Sequence, residues 1–203
     1  MGVDALRKLS QESTGLILAS ASAGRRALLA QLGLKFEVVA SGAEEHLEGT
    51  GPEKSATDLA IMKAQRVEAR RPGGLIIGAD TLIWLDGKPI GKPLDRSSHL
   101  GMLRELSGRW HEVWSGVALA LRGSIFCAGS CTRVRLRTLS AEEITRYVER
   151  GEGSGRAGGY ALQGSGTILI RELQGDPNNV IGLPVQTLLD LAASAQVQAG
   201  SSG

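Results

Sequence analysis

A chain of 203 residues with 42% hydrophobic content is long enough to bury a real core and suits one domain of ordinary to large size. Its formal charge of +2 comes from 23 basic and 21 acidic side chains scattered along the sequence. With an aromatic content of 3%, that balance excludes a broad nucleic-acid surface or a base-stacking platform and leaves room only for a local basic pocket.

No apolar run approaches the ~20 residues of a membrane span. The N-terminus carries Asp4, Arg7, Lys8 and Glu12 in place of a leader's apolar core, so a soluble, cytoplasmic protein is expected. Two cysteines, Cys127 and Cys131, and three isolated histidines, His46, His99 and His111, make no zinc framework; two buried free thiols are expected.

Residues 1–14 and about 195–203 read as frayed ends of a single domain spanning 1–203. Leu16–Ala19 is a short strand, and Ala27, Leu28, Leu29, Ala30 and Leu32 continue with the spacing of a buried helical face. Between them lie Ser20, Ser22, Gly24, Arg25 and Arg26. A helix start exposes N–H groups and a positive dipole end, and arginine adds a fork of donors matched to phosphate oxygens. The same residues also fit a serine N-cap followed by surface arginines.

Phe36–Ala40 is a strand, followed by an acidic loop with Glu44, Glu45 and Glu48. Lys54–Arg70 is a helix with apolar Ala56, Leu59, Ala60 and Ala64, stopped by Pro72-Gly73-Gly74. Leu75–Leu85 is strand-like, and Asp86-Gly87 is a hairpin signal leading to Pro89-Ile90-Gly91. Ser97–Leu106 is a helix with Ser97 near its cap. Val113–Leu121 and Ile125–Arg137 pair across Arg122-Gly123. Ala141–Arg150 is a helix whose Ser140 and Glu143 form a capping box. A glycine-rich segment, a strand at Thr167–Leu173 and a helix at Pro184–Ala193 follow. Parallel and hairpin connections both occur, so a mixed sheet is expected.

Asp80 is the strongest single candidate. It ends the apolar run Leu75-Ile76-Ile77-Gly78-Ala79, where a carboxylate is costly unless it meets a metal, an arginine or an activated water. Capping a turn is the plain alternative. Lys92, between Gly91 and Pro93, sits on a stiff loop suited to phosphate, although loop lysines are commonly just solvated. Lys63, with Lys54 and Arg66 on the same helix, fits a wet face. The Gly153–Gly158 match to GxGxxG follows a helix and precedes a strand, the reverse of a dinucleotide fold.

Taken together, LASAS-AGRR (18–26), AxxKA (60–64), IIGADT (76–81), GKP (91–93), LSG (106–108), GGYALQG (158–164) and GDPNNVIGLP (175–184) resemble the Maf family of nucleoside triphosphate pyrophosphatases. The resemblance runs from about Leu16 to Ala193, and the order of the motifs makes it specific. It implies an α/β fold of the inosine triphosphatase type, with a long twisted mixed sheet, flanking helices and two lobes around a cleft.

By position, Asp80 matches the family's catalytic carboxylate and Arg25 its triphosphate arginine, with Ser20 in the same loop. Lys63 and Lys92 match two substrate-facing lysines. Glu45 matches an acidic position near metal and substrate, so Asp80 and Glu45 are the implied metal ligands. Gln163 matches a base-side position. Two departures stand out: the family's SxSPRR motif has Pro where this chain has Ala23, and Pro177 replaces a commoner aromatic. Position 24 is Arg in the dTTP/UTP branch and Trp in the 7-methyl-GTP branch; here it is Gly24. Thr81 and Gln163 both match the dTTP/UTP branch.

The implied activity is hydrolysis of dTTP or UTP to the monophosphate and pyrophosphate with a divalent cation, Mg or Mn. A broader or 7-methyl-GTP-selective pyrophosphatase is the alternative within that class. A nucleotide-binding regulator of septum formation is the alternative outside it. The nucleotide is the expected partner, with no nucleic acid or membrane; a homodimer is compatible with the resemblance.

Overall fold

The computed structural model describes residues 2–43 and 51–200. The fold is mixed α/β, with helices flanking a seven-stranded sheet of order β2-β1-β3-β5-β6-β7, in which β4 pairs with β3 outside that path. The strands are β1 (Leu16–Leu18), β2 (Glu37–Val38), β3 (Leu75–Leu85), β4 (Lys88–Ile90), β5 (Trp110–Leu121), β6 (Ser124–Leu136) and β7 (Ile170–Gln174). β1 pairs in parallel with both β2 and β3, whereas β4 on β3 and β7 on β6 are antiparallel, so the sheet is mixed as expected. Both tight hairpins use left-handed pairs, Asp86-Gly87 (φ 49° and 77°) and Arg122-Gly123 (φ 51° and 80°), the geometry that matches strand twist.

The chain divides into two compact units. The first contains Met1–Asp80, Ser115–Ser130 and Gly182–Gly203, and the second Thr81–Trp114 and Cys131–Ile181. In the first, α1 (Gly2–Gln11) packs on α7 (Val185–Gly200), and α3 (Pro52–Glu68) covers strands through Ala60, Ala64 and Val67 against Ile17, Ile76, Ala118 and Ala120. α2 (Ala23–Ala30) follows β1. In the second unit, α4 (Arg96–Leu106) and α5 (Ala141–Glu149) bury Leu103, Leu106, Ile144 and Tyr147 with Ile83, Leu85, Val113 and Val134. Two 3₁₀ turns (157–159 and 164–169) and the short α6 (Pro177–Ile181) complete it.

The structure corrects several expectations. Residues 2–11 are a helix, not a frayed end, because Ala5, Leu6 and Leu9 share one buried face. The same packing carries α7 to Gly200, with Ala195 buried. β2 has two residues, not five. α4 is capped by Asp95, whose side chain accepts from Ser98 N at 2.7 Å, so Ser97 lies inside the helix. Residues 164–169 wind as 3₁₀ turns before β7 begins, which the glycines at 164 and 166 permit. Cys127 is exposed and Cys131 half-buried, because β7 pairs with β6 only from Arg133 onward. The Ser140–Glu143 capping box is present as expected. Among the described residues no helix is long and apolar enough to cross a membrane.

Candidate active site

The loop leaving β1 is built as a tether for one arginine. The Ala19 N–H donates to the Ile77 carbonyl at 2.8 Å, so the β1–β3 ladder runs up to the loop itself. Ser22 caps α2, its side chain accepting from Arg25 N at 3.4 Å. Buried Ser20 accepts from Ser22 N at 3.2 Å and from Arg25 Nη1 at 3.1 Å. Arg25 Nε donates to the Gly182 carbonyl at 2.8 Å. The cap reading holds for Ser22, and Arg26 is exposed as a surface arginine, whereas Arg25 is half-buried and held by Ser20 and Gly182. Gly24 is buried in the first turn of α2 and is not among the glycines with positive φ.

Asp80 lies in the middle of β3, not at its end, since the strand continues to Leu85. Strand alternation puts Ile76, Gly78 and Asp80 on the face that α3 covers. Gly78 is what lets the helix close in: a Cβ there would lie 2.1 Å from the Ala60 carbonyl and 2.9 Å from Ala64 Cβ. Gly116 does the same on β5, where a Cβ would lie 2.2 Å from the Ala56 carbonyl. This close approach delivers Lys63 onto Asp80, and Lys63 Nζ donates to Asp80 Oδ1 in a buried ion pair. The two residues are 6% and 3% exposed, so Lys63 does not belong to a wet face. It falls on the buried stripe 56-60-63-67 of α3, a helical spacing visible in the sequence.

The two oxygens of Asp80 are unequal. Oδ1 holds the ammonium, whereas Oδ2 is buried without a hydrogen-bond partner among the described residues. A buried carboxylate oxygen left unpaired is expensive, and such a group marks a place for a cation or a proton donor. The parallel register, Leu18 opposite Ile77, carries Ser20 and Asp80 to the same end of the β1–β3 pair.

The second unit holds Thr81, Lys92 and Gln163. Thr81 follows Asp80 in β3 and is half-buried. Lys92 and Gln163 are exposed. Lys92 follows β4, and the preceding Gly91 carbonyl accepts from Gly158 N at 2.9 Å, which joins the GKP loop to the GGYALQG segment. That segment is anchored almost residue by residue. His99 Nε2 donates to the Gly159 carbonyl (2.6 Å), His111 Nε2 bonds the Tyr160 hydroxyl (2.7 Å), and Tyr147 Oη accepts from Ala161 N (3.0 Å). Beyond Gln163, Glu152 Oε2 accepts from Ser165 N at 2.8 Å. Burial lowers the His111 pKa from 6.5 to about 4, so its imidazole is neutral at neutral pH. Glu45 lies outside the described residues.

A family model described as "Maf-like protein" matches residues 15–195. The chain belongs to the Maf family. Proteins named dTTP/UTP pyrophosphatase are similar to it along most of their length. The one from Deinococcus radiodurans is 39% identical, covering 91% of this chain and 94% of its own. That from Symbiobacterium thermophilum is 42% identical (87% and 91%), and that from Gloeobacter violaceus 41% (88% and 94%). The Staphylococcus aureus Ham1 structure is 13% identical with a TM-score of 0.46, covering 93% of this chain and 99% of that one.

In this Maf chain the first unit brings together Ser20 with Arg25, and Lys63 with Asp80. Among the described residues, no group of three or more His, Cys, Asp or Glu could hold a metal ion. The orphaned Oδ2 nevertheless fits a hard cation that takes one or two carboxylates from the protein and its remaining oxygens from substrate phosphates and water. Three supports escaped sequence reasoning. Gly182 (φ 122°), whose carbonyl orients Arg25, sits in a motif already noticed. Gly78 interrupts a buried strand, which signals close backbone approach. His111 and Tyr160 left no pattern of their own beyond a polar residue beside an apolar run.

Proposed function

We propose that this chain hydrolyses dTTP and UTP between the α and β phosphates, releasing the nucleoside monophosphate and pyrophosphate. The observation that carries this reading is the buried Lys63–Asp80 pair, with Asp80 Oδ2 unpaired among the described residues, on the strand next to a loop that tethers Arg25. The names of the relatives supply the substrate class.

In this mechanism Arg25, preset by Ser20 and Gly182, grips phosphate oxygens without losing much side-chain freedom on binding. Lys92 adds a second cation. Asp80 orients the attacking water and accepts its proton. The water oxygen bonds to the α phosphorus as the α–β bridge bond breaks, and pyrophosphate leaves with the electron pair. Lys63 holds the Asp80 carboxylate in place through Oδ1. A divalent cation held by Asp80 Oδ2, with Glu45 as a second acidic residue, would neutralise charge on the phosphates. Thr81 and Gln163 contact the base, and Gly24 leaves that contact without the side chain of either family branch.

The test is pyrophosphate release from dTTP, UTP, CTP, GTP and 7-methyl-GTP, with Mg²⁺, with Mn²⁺ and with chelator. Expected are dTTP and UTP as the best substrates by kcat/KM and loss of turnover under chelation. A preference for 7-methyl-GTP overturns the base assignment. Stoichiometric nucleotide binding without pyrophosphate release favours a regulator over an enzyme.

A further inference from the structure

Gln163 is exposed on a loop, yet reading a base edge requires it to hold one position. What holds it lies beneath the loop in the second unit. Gly158 and Gly159 take left-handed backbone (φ 70° and 69°), and a Cβ on Gly159 would lie 2.6 Å from His99 Cδ2. The chain is thus pressed onto His99, whose Nε2 bonds the Gly159 carbonyl. One residue on, Tyr160 turns inward, 4% exposed, and its hydroxyl meets His111 Nε2 at 2.7 Å with the rings edge-to-face at 5.4 Å. His111 comes from β5, flanked in the core by Val113. Tyr147 Oη then takes Ala161 N, and Thr167 Oγ1 takes the Leu162 carbonyl at 2.7 Å.

We propose that the buried His111–Tyr160 pair is a positioning device that fixes the 158–164 segment and so sets how Gln163 meets the nucleobase. Resting on the pyrophosphatase reading above, it adds residues that touch no substrate. Besides the core packing of Tyr160, the pair joins β5 to the loop through one directional bond, two residues after the Gly158–Gly91 link to the Lys92 loop. Tyr160 therefore couples the base-side residue to a strand rather than to another loop.

The experiment compares wild type, Tyr160→Phe and the double variant His111→Leu/Tyr160→Phe. The single variant leaves a buried ring nitrogen unpaired, whereas the double removes both polar partners and recovers stability. Steady-state kinetics with UTP and CTP are measured beside amide hydrogen exchange of residues 158–165. Expected in both variants is a KM for UTP raised about fivefold, the size of one hydrogen bond, with kcat within about twofold and the UTP:CTP preference reduced. Exchange should quicken in 158–165. A merely structural pair would instead lose stability in the single variant, with KM and base preference unchanged in the stable double; that result overturns the proposal. If wild type releases no pyrophosphate, the activity reading falls separately, and exchange decides whether the pair holds the segment: unchanged protection in both variants overturns it.

Discussion

The two units treat their functional side chains in opposite ways. In the first, charged groups are buried and caught in short, specific contacts: Lys63 on Asp80, and Arg25 between Ser20 and Gly182. In the second, Lys92 and Gln163 are exposed, and the precision lies underneath them in buried ring partners, His99, His111, Tyr147 and Tyr160. The difference fits the roles proposed for each group. A carboxylate that activates water gains from low dielectric and a fixed neighbour, whereas a residue that meets an incoming ligand must be reachable. Substitutions should accordingly separate chemistry from recognition.

The largest effect belongs to Asp80→Asn, which keeps the shape of the side chain and removes its charge. Turnover at saturating UTP should fall by ~10²–10⁴, the range typical of losing a positioned general base. Lys63 would be left buried beside a neutral amide, so the melting temperature should fall as well. Assays belong well below that temperature. Retention of more than about a tenth of the wild-type kcat shows that Asp80 is not the catalytic group.

Why Asp80 was legible from its own surroundings, and Lys63 only through the family resemblance, is itself physical. A carboxylate closing an apolar run violates the local pattern, so the violation is visible in one dimension. Lys63 violates its pattern too, standing on the 56-60-63-67 stripe, but alternating charges at 54, 58, 66 and 68 disguise it as surface. The helix packing that buries it depends on Gly78 meeting Ala60 and Ala64, a contact between residues well apart in sequence. Strand and helix order, both hairpins and the Ser140 cap were readable because they depend on neighbours in the chain. α1 was not, because its three buried side chains acquire meaning only against α7.

Buried His111, beneath the second unit's loop, gives the fold a pH signature of its own. His111 is charged in the unfolded chain below about 6.5 but stays neutral in the fold until about 4. Between those values the unfolded state binds the extra proton, so stability falls as pH falls and is fully present above about 6.5. The shift corresponds to at most about 3 kcal/mol. Chemical denaturation followed at pH 7.5, 6, 5 and 4 should show this loss in wild type, and the slope should flatten in the His111→Leu/Tyr160→Phe variant. An identical slope in both proteins would place the acid sensitivity elsewhere.

The smallest change to the fold, and the sharpest test of the contrast, is Lys92→Ala. Lys92 is exposed, so its removal should leave stability within about 0.5 kcal/mol, as for ordinary surface positions. Its proposed work is confined to the triphosphate tail. A charge-assisted bond contributes ~1.5–3 kcal/mol, so a non-hydrolysable UTP analogue should bind about ten- to a hundredfold more weakly. UMP lacks the β and γ phosphates and should bind nearly as before. Lys63→Met, by contrast, removes the ammonium from Asp80 Oδ1, leaves that carboxylate buried, and should destabilise the protein whether or not nucleotide is present. Titration calorimetry with both ligands, beside thermal melts of the two variants, separates these outcomes. Equal losses for UMP and the UTP analogue in Lys92→Ala would remove Lys92 from the phosphate tail; a melt as depressed as that of Lys63→Met would remove it from the exposed, recognition side of the comparison altogether.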